Sequence, residues 1–241
     1  MSKYFYDLHI HSCLSPCGDD DNTPNNIVGM ASLCGIKILA LTDHNSSKNC
    51  PAFFFAAEKY GIIPVAGMEL TTAEDIHVVC LFEKLDEALE FDKFIEENRI
   101  KVKNKPQFFG NQYVLDESDN LVSEIDDLLI NATSISIEEI CSVVNKFNGV
   151  CYPAHIDRDA NGIIAILGTL PDCGFSFYEI HDRDRIDEFS EKYNIPKNRF
   201  IVSSDAHYLT DIRDAENYFE IEDEPCDNET VRRRLFEFLR R

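Results

Sequence analysis

No Cys-x-x-Cys pair occurs in the chain, although it carries nine cysteines. A zinc ribbon or a thioredoxin-like redox site would need such pairs, so both are disfavoured. The thiols are odd in number and scattered. Cys34, Cys80, Cys141 and Cys151 fall in stretches expected to be helix or strand, which suits buried free thiols better than a disulfide framework. Long apolar runs are missing as well. None approaches the ~20 residues of a transmembrane helix, and no charged segment precedes an apolar one near the start. The expectation is a cytoplasmic protein with no membrane partner. Positive charge is scarce, with 23 Lys and Arg against 44 Asp and Glu and a net charge of −21. Phosphate backbones attract clusters of Lys and Arg, so this balance predicts that long nucleic acid is not a partner. It leaves room for a small anionic substrate, because metal cations can reverse the potential inside one pocket. Glu83–Glu97 and Glu216–Glu224 hold much of the acidity and read as solvated helix face or loop.

What the chain does have is seven histidines, placed in a pattern. His9 and His11 close the apolar run that begins at Tyr4. His44 closes Ile38-Leu-Ala-Leu-Thr-Asp-His, and His155 closes Val150-Cys-Tyr-Pro-Ala-His. His181 closes Phe177-Tyr-Glu-Ile-His, and His207 closes the run from Phe200. Only His77 opens a run, Ile76-His-Val-Val-Cys-Leu-Phe. Imidazole is the commonest metal ligand, and side chains at strand ends converge on one face of a barrel-like sheet. The pattern points to a polynuclear metal site, and so to an enzyme.

Strand-like and helix-like segments alternate along 241 residues, enough for one α/β domain with a substantial core. Strands are expected at 4–10, 37–41, 62–66, 76–82, 150–153, 175–180 and 200–203. Helices are expected from Thr23-Pro24 to near Gly35 and at 51–60, 85–98, 137–147, 162–167, 185–193 and 229–239. That order implies parallel βαβ units and a barrel of about seven strands, one fewer than the common form. Residues 99–135 break the pattern. They are rich in turn residues and too long for an ordinary loop, which suggests an inserted arm, either a lid or a surface excursion.

In His9-Ile10-His11, period-two alternation turns both imidazoles to one side, so both can reach one metal. His44 ends Thr42-Asp43-His44, where Asp43 is a candidate orienter or further ligand. Glu69, in Gly67-Met68-Glu69, can bridge two cations. Asp205-Ala206-His207 repeats the alternating geometry with a carboxylate and an imidazole. His77 and His155, each unremarkable as a lone core histidine, become candidate ligands in this company. Mixed His, Asp and Glu ligation suits Zn, Mn or Fe better than Ca or Mg.

The set of HxH, TDH, GxE, Ala-His and a late Ser-Asp-Ala-His, in that order from Tyr4 to about Asp214, resembles the polymerase and histidinol phosphatase (PHP) superfamily. The resemblance implies a distorted (βα)7 TIM-like barrel with its metal site at the C-terminal ends of the strands. It also implies metal-dependent phosphoester hydrolysis with two to three divalent ions. The matching ligands are His9, His11, His44, Glu69, His77, His155, Asp205 and His207. The family's further ligand after HxH aligns with either Cys17 or Asp19, and thiolate or carboxylate would serve. His181 fits no metal motif; it could act as general acid, bind substrate phosphate or be structural. Arg158, with Arg183 or Arg185, is placed to clamp a phosphate.

The expected activity is hydrolysis of a small phosphomonoester, or of a nucleotide or short oligonucleotide phosphoester, at a trinuclear centre. A metal-dependent amidohydrolase is the rival, although no lysine stands at a strand end to bridge its metals. A non-catalytic metal-binding module is a third reading.

Overall fold

Near-continuous apolar strands buried on both faces organise the molecule. The computed structural model describes residues 2–221 and 227–241, so Glu222–Glu224 of the second acidic stretch lie outside the described residues. In chain order the first half contains β1 (Ser2–Asp7), α1 (Pro24–Leu33), β2 (Ile38–Leu41), α2 (Cys50–Tyr60), β3 (Ile63–Thr71), β4 (His77–Phe82) and α3 (Leu85–Asn98). The stretch from 99 to 135 contributes α4 (Pro106–Phe109) and a hairpin of β5 (Tyr113–Leu115) and β6 (Leu121–Glu124). The remainder comprises α5 (Ile140–Asn145), β7 (Val150–Pro153), α6 (Ile163–Leu167), β8 (Tyr178–Ile180), α7 (Ile186–Tyr193), β9 (Phe200–Val202), β10 (Tyr218–Ile221) and α8 (Asn228–Leu239).

Six strands form one curled sheet in the order β10-β1-β2-β3-β4-β7, and β8 and β9 form a separate parallel pair. Single links hold that pair between β7 and β1. Ile156 N–H donates to the Glu179 carbonyl, Leu8 N–H to Ser203 Oγ and His11 N–H to the Ala206 carbonyl. The expected parallel barrel is therefore corrected. The sheet is a half-barrel whose ring is finished by isolated contacts rather than by continuous ladders.

The direction of β4 is the second correction. β3 and β4 form an antiparallel hairpin, and β4 is antiparallel to β7 as well. No crossover helix separates β3 from β4, so the chain simply turns back through residues 72–76. The first residue of β4 thus lies at the rim where β1, β2 and β3 end. That is why His77 opens its apolar run while the other histidines close theirs.

Alternation divides the strands between two cores. Leu39, Leu41, Met68, Val78, Cys80 and Phe82 face a layer with Ile27, Phe53 and Phe91 of α1, α2 and α3. Ile38, Ala40, Val65, Val79, Leu81 and Tyr152 face inward with Phe177 and Ile201, where Val231, Leu235 and Phe236 of α8 fill the concave side. Apolar burial at roughly 25 cal/mol per Å2 is what holds these layers together. With α8 filling the bottom, the polar inward positions collect at the opposite rim.

Local signals are obeyed where they are strong. Thr23 caps α1 by accepting from the Asn26 N–H, with Pro24 in the first turn, and Gly61 ends α2 in the left-handed conformation. Asp92 departs from the solvated-face expectation for α3. It is buried and accepts from Ser46 Oγ, Ser47 N–H and Lys48 Nζ at 2.6–2.8 Å, fixing the loop that follows His44. Of the cysteines expected to be buried, Cys80 is; Cys34, Cys141 and Cys151 are partly so, and all four are free thiols. No helix among the described residues is long and apolar enough to cross a membrane.

Candidate metal centre

Glu69 sits at the centre of the rim, on the inward face of β3 and 1% exposed. Its Oε1 lies 3.0 Å from His77 Nδ1, 3.1 Å from His155 Nε2 and 3.3 Å from His9 Nε2. Its Oε2 lies 3.0 Å from His44 Nδ1 and 3.4 Å from His11 Nε2. Asp205 closes the other side, with Oδ1 at 3.2 Å from His11 Nε2 and 3.3 Å from His9 Nε2. His207 stacks on His11 with ring centroids 4.2 Å apart.

These atoms fall into three overlapping groups, each with its ligand atoms within 4.8 Å of one another: His9, His11, Glu69 and Asp205; His44, Glu69 and His77; and His11, His44 and His207. His155 adjoins the first two through Glu69. Cys17 and Asp19 belong to none of the groups. Cys17 is exposed at the mouth, its thiol pushed up by its surroundings and by the carboxylates of Glu69 and Asp205. Asp19 turns its carboxylate back to its own loop, accepting from the Asp21 N–H at 2.9 Å, while its backbone N–H meets the His207 carbonyl.

The residues fit a cluster of cations. Two ligands about 2.1 Å from a shared ion are about 3.0 Å apart at right angles and about 3.4 Å apart at the tetrahedral angle, which is the range seen here. His44 Nδ1 is buried and makes no hydrogen bond of acceptable geometry, although Glu69 stands 3.0 Å away. Outer partners also set which ring nitrogen is free. Ser15 Oγ donates to Asp43 at 2.7 Å and accepts from the His44 N–H at 3.1 Å, so the proton at its 2.9 Å contact with His11 must sit on Nδ1. His11 Nε2 is left with its lone pair turned inward. Asp43 itself is no ligand of the cluster, because it accepts from Ser12 N–H and Ser12 Oγ as well. His9 is oriented likewise, its Nδ1 lying 2.9 and 3.0 Å from the two oxygens of Glu179. A carboxylate behind a ligating imidazole is the usual arrangement at metal sites.

Electrostatics agree. Burial alone would raise Glu69, but His77, His9 and His44 hold its carboxyl well below the usual range. Burial depresses His44 to about 4, and burial together with His207 and His44 holds His11 well below its usual value, so both are neutral imidazoles at neutral pH. Burial would also depress His9, yet Glu179, Asp205 and Glu69 outweigh it and hold it well above its usual value. Three carboxylates around one ring call for positive charge. Asp205 and His155 both adopt left-handed backbone, with φ of 52° and 29°, a cost that functional positions often carry.

Beside Asp205 lies a cationic group. Arg158 Nη1 bonds Asp205 Oδ2, and Arg158 Nη2 is 3.0 Å from His181 Nδ1. Arg213 approaches His181 from another element, with Nη2 2.9 Å from Nε2 and Nη1 donating to the His181 carbonyl. His181 is lowered by burial and by these two guanidiniums, so it stands neutral between them. Arg185 is occupied elsewhere, on Glu188 and the Asp157 carbonyl, and Arg183 is exposed. Sequence reasoning missed Glu179 and Arg213. Glu179 had a signal, being an acid two positions after Phe177 on the inward side of an apolar strand. Arg213, in an acidic surface-like stretch, had none.

The PHP domain family model matches residues 7–158. The chain belongs to the PHP domain family. It is 29% identical over 168 residues to a PolC-type DNA polymerase III of Staphylococcus saprophyticus, an alignment covering 59% of this chain and 11% of that one. The chain thus spans about a tenth of the length of the polymerase relative it matches. Its fold is similar to that of the lesion-specific endonuclease PfuEndoQ from Pyrococcus furiosus, with a TM-score of 0.68, 20% identity and coverage of 96% of this chain and 55% of that one. It is also similar to Endonuclease Q in complex with a 27-mer duplex substrate bearing an abasic lesion, with a TM-score of 0.61, 20% identity and coverage of 96% and 56%. The expectation drawn from net charge is corrected here. A protein of similar fold is seen in complex with a 27-mer duplex, so net charge is no ground for excluding nucleic acid. What meets a phosphate backbone is the local charge of one face, not the sum over the chain.

Proposed function

We propose that this PHP-domain chain is a metal-dependent phosphoesterase with two to three divalent transition-metal ions, Zn, Mn or Fe, held by His9, His11, His44, Glu69, His77, His155, Asp205 and His207. The observation that carries the reading is Glu69, one buried carboxylate with five imidazoles within 3.4 Å of its two oxygens. Three overlapping ligand groups support a trinuclear count. The substrate class is a phosphomonoester or the phosphoester at a nucleotide or oligonucleotide end.

Bound ions would supply Lewis acidity and a water of lowered pKa. The chain's own residues do the rest. Arg158, bonded to Asp205, and Arg213, beside His181, place fixed positive charge next to the ligand groups, where a phosphate's remaining oxygens can be received. His181, held neutral, has one ring nitrogen free to accept from a guanidinium, its carbonyl accepts from Arg213, and it is a poor proton donor, which favours phosphate holding over general-acid work. Ser15 and Glu179 keep His11 and His9 turned inward.

The test is metal analysis of the purified chain combined with a panel of p-nitrophenyl phosphate and bis(p-nitrophenyl) phosphate. The expected result is more than one transition-metal ion per chain and hydrolysis abolished by chelation and restored by metal. Full hydrolysis by a metal-free preparation would sink the reading.

A further inference from the structure

Within a chain of net charge −21, the stretch Ile100-Lys-Val-Lys-Asn-Lys-Pro-Gln-Phe-Phe109 places three lysines in five residues and ends on two phenylalanines. Lys101, Lys103 and Lys105 are all exposed, and none makes an ion pair among the described residues. Phe108 is 77% exposed and Phe109 46%. The segment runs extended, bonded through its backbone to residues 126–132, before α4 turns the two rings out. Apolar rings left bare beside unpaired cations are costly for a solitary surface and suit a partner that is both anionic and flat.

The segment also stands at the metal rim. Gly110 packs so closely on Pro16 that an added Cβ would lie 2.1 Å from its carbonyl oxygen. Asn111 Nδ2 donates to both carboxylate oxygens of Asp20 at 2.8 and 3.1 Å, and Tyr113 N–H donates to the Cys13 carbonyl at 2.9 Å. The loop so gripped contains Ser15, the residue bonded to His11 Nδ1, and Cys17 at the mouth. Gly110 follows Phe109 directly, so the exposed rings adjoin that contact in sequence.

We propose that the strip from Lys101 to Phe109 is a platform for single-stranded nucleic acid, holding a strand whose end enters the metal rim. The lysines meet consecutive phosphates and the two rings stack on unpaired bases. A duplex is a poorer occupant, because its base faces are already stacked on one another. The proposal takes its chemistry at the rim from the phosphoesterase reading, but binding to the strip does not depend on that reading.

The experiment uses the full chain and a fluorescein-labelled 12-nucleotide single strand. Binding is read by anisotropy in chelator, and hydrolysis of the same strand and of p-nitrophenyl phosphate is read with metal added. The variants are F108A/F109A and K101Q/K103Q/K105Q, exposed side chains outside the ligand groups. Both should bind the strand at least about tenfold more weakly while hydrolysing p-nitrophenyl phosphate as the parent does. The lysine variant should also flatten the slope of log affinity against log salt by about 2. Unchanged strand affinity in both variants would overturn the platform and leave the phosphoesterase reading intact. Displacement of the strand by poly-glutamate at equal charge would overturn it too, by showing a generic anion or acidic-protein surface. If the parent hydrolyses neither substrate yet the variants lose strand binding, the platform stands and the phosphoesterase reading fails.

Discussion

His9 and Glu179 lie 170 positions apart in sequence, yet the imidazole Nδ1 is 2.9 and 3.0 Å from the two carboxylate oxygens, and both side chains are fully buried. The carboxylate holds the ring orientation that turns His9 Nε2 toward Glu69 and Asp205. E179Q should therefore lower metal affinity by about 10–100-fold with the fold retained. Competition against a chromogenic chelator measures this, and parental affinity in the variant would show the contact to be only structural.

Glu69 touches every ligand group but one, so E69Q should cost more than loss of one outer partner. The expected outcome is at least about a 100-fold fall in hydrolysis and fewer ions bound per chain. Near-normal turnover with full metal content would reduce Glu69 to a buried acid that merely packs.

Chelation should lower thermal stability as well as activity. Ions present at 100 to 1,000 times their dissociation constant stabilise by about 3–4 kcal/mol, and in a chain of this size that is a shift of roughly 6–16 °C. A melting curve with and without chelator decides it, and coincident curves would argue that no ion is bound by the folded state.

R213A should raise KM for phosphoesters by about tenfold to a hundredfold with metal content unchanged, as expected for loss of a charged hydrogen-bond donor to substrate. H181A should slow alkyl and p-nitrophenyl esters alike, since a neutral ring between two guanidiniums has little acidity to lend. Selective loss on alkyl esters would restore the general-acid role.

G110A would place a Cβ against the Pro16 carbonyl at a residue whose φ is 94°. The strain, about 1–3 kcal/mol, should loosen the segment 99–135 from the rim rather than unfold the sheet. Faster proteolysis confined to that segment, with the global melting temperature nearly kept, is the outcome to look for.

Residue type and spacing carried much of the rim. His9, His11, His44, Glu69, His77, His155, Asp205 and His207 could be picked out as candidate ligands from strand-end motifs and the family resemblance together, and the structure draws their side chains to one rim. Strand direction was not readable. Alternating elements default to parallel crossovers, and only the odd placement of His77 at the head of its run hinted that β4 is reversed. The stretch 99–135 lacked a period because its helix has four residues and its strands three and four, too short for either repeat to show. Cys17 and Asp19 were separated by no pattern, since which of a turn's polar groups points inward depends on backbone contacts with residues far along the sequence, such as the Asp19 N–H on the His207 carbonyl.

The reversal of β4 couples two ligands to one pairing. Glu69 sits opposite Val79 and His77 opposite Thr71 on the two legs of a single hairpin. A slip of one residue on either leg would turn that leg's ligand from the rim toward the helical layer. An ion held by Glu69 and His77 would therefore act as a proofreader of strand register, because only one alignment of the hairpin presents both groups to the rim.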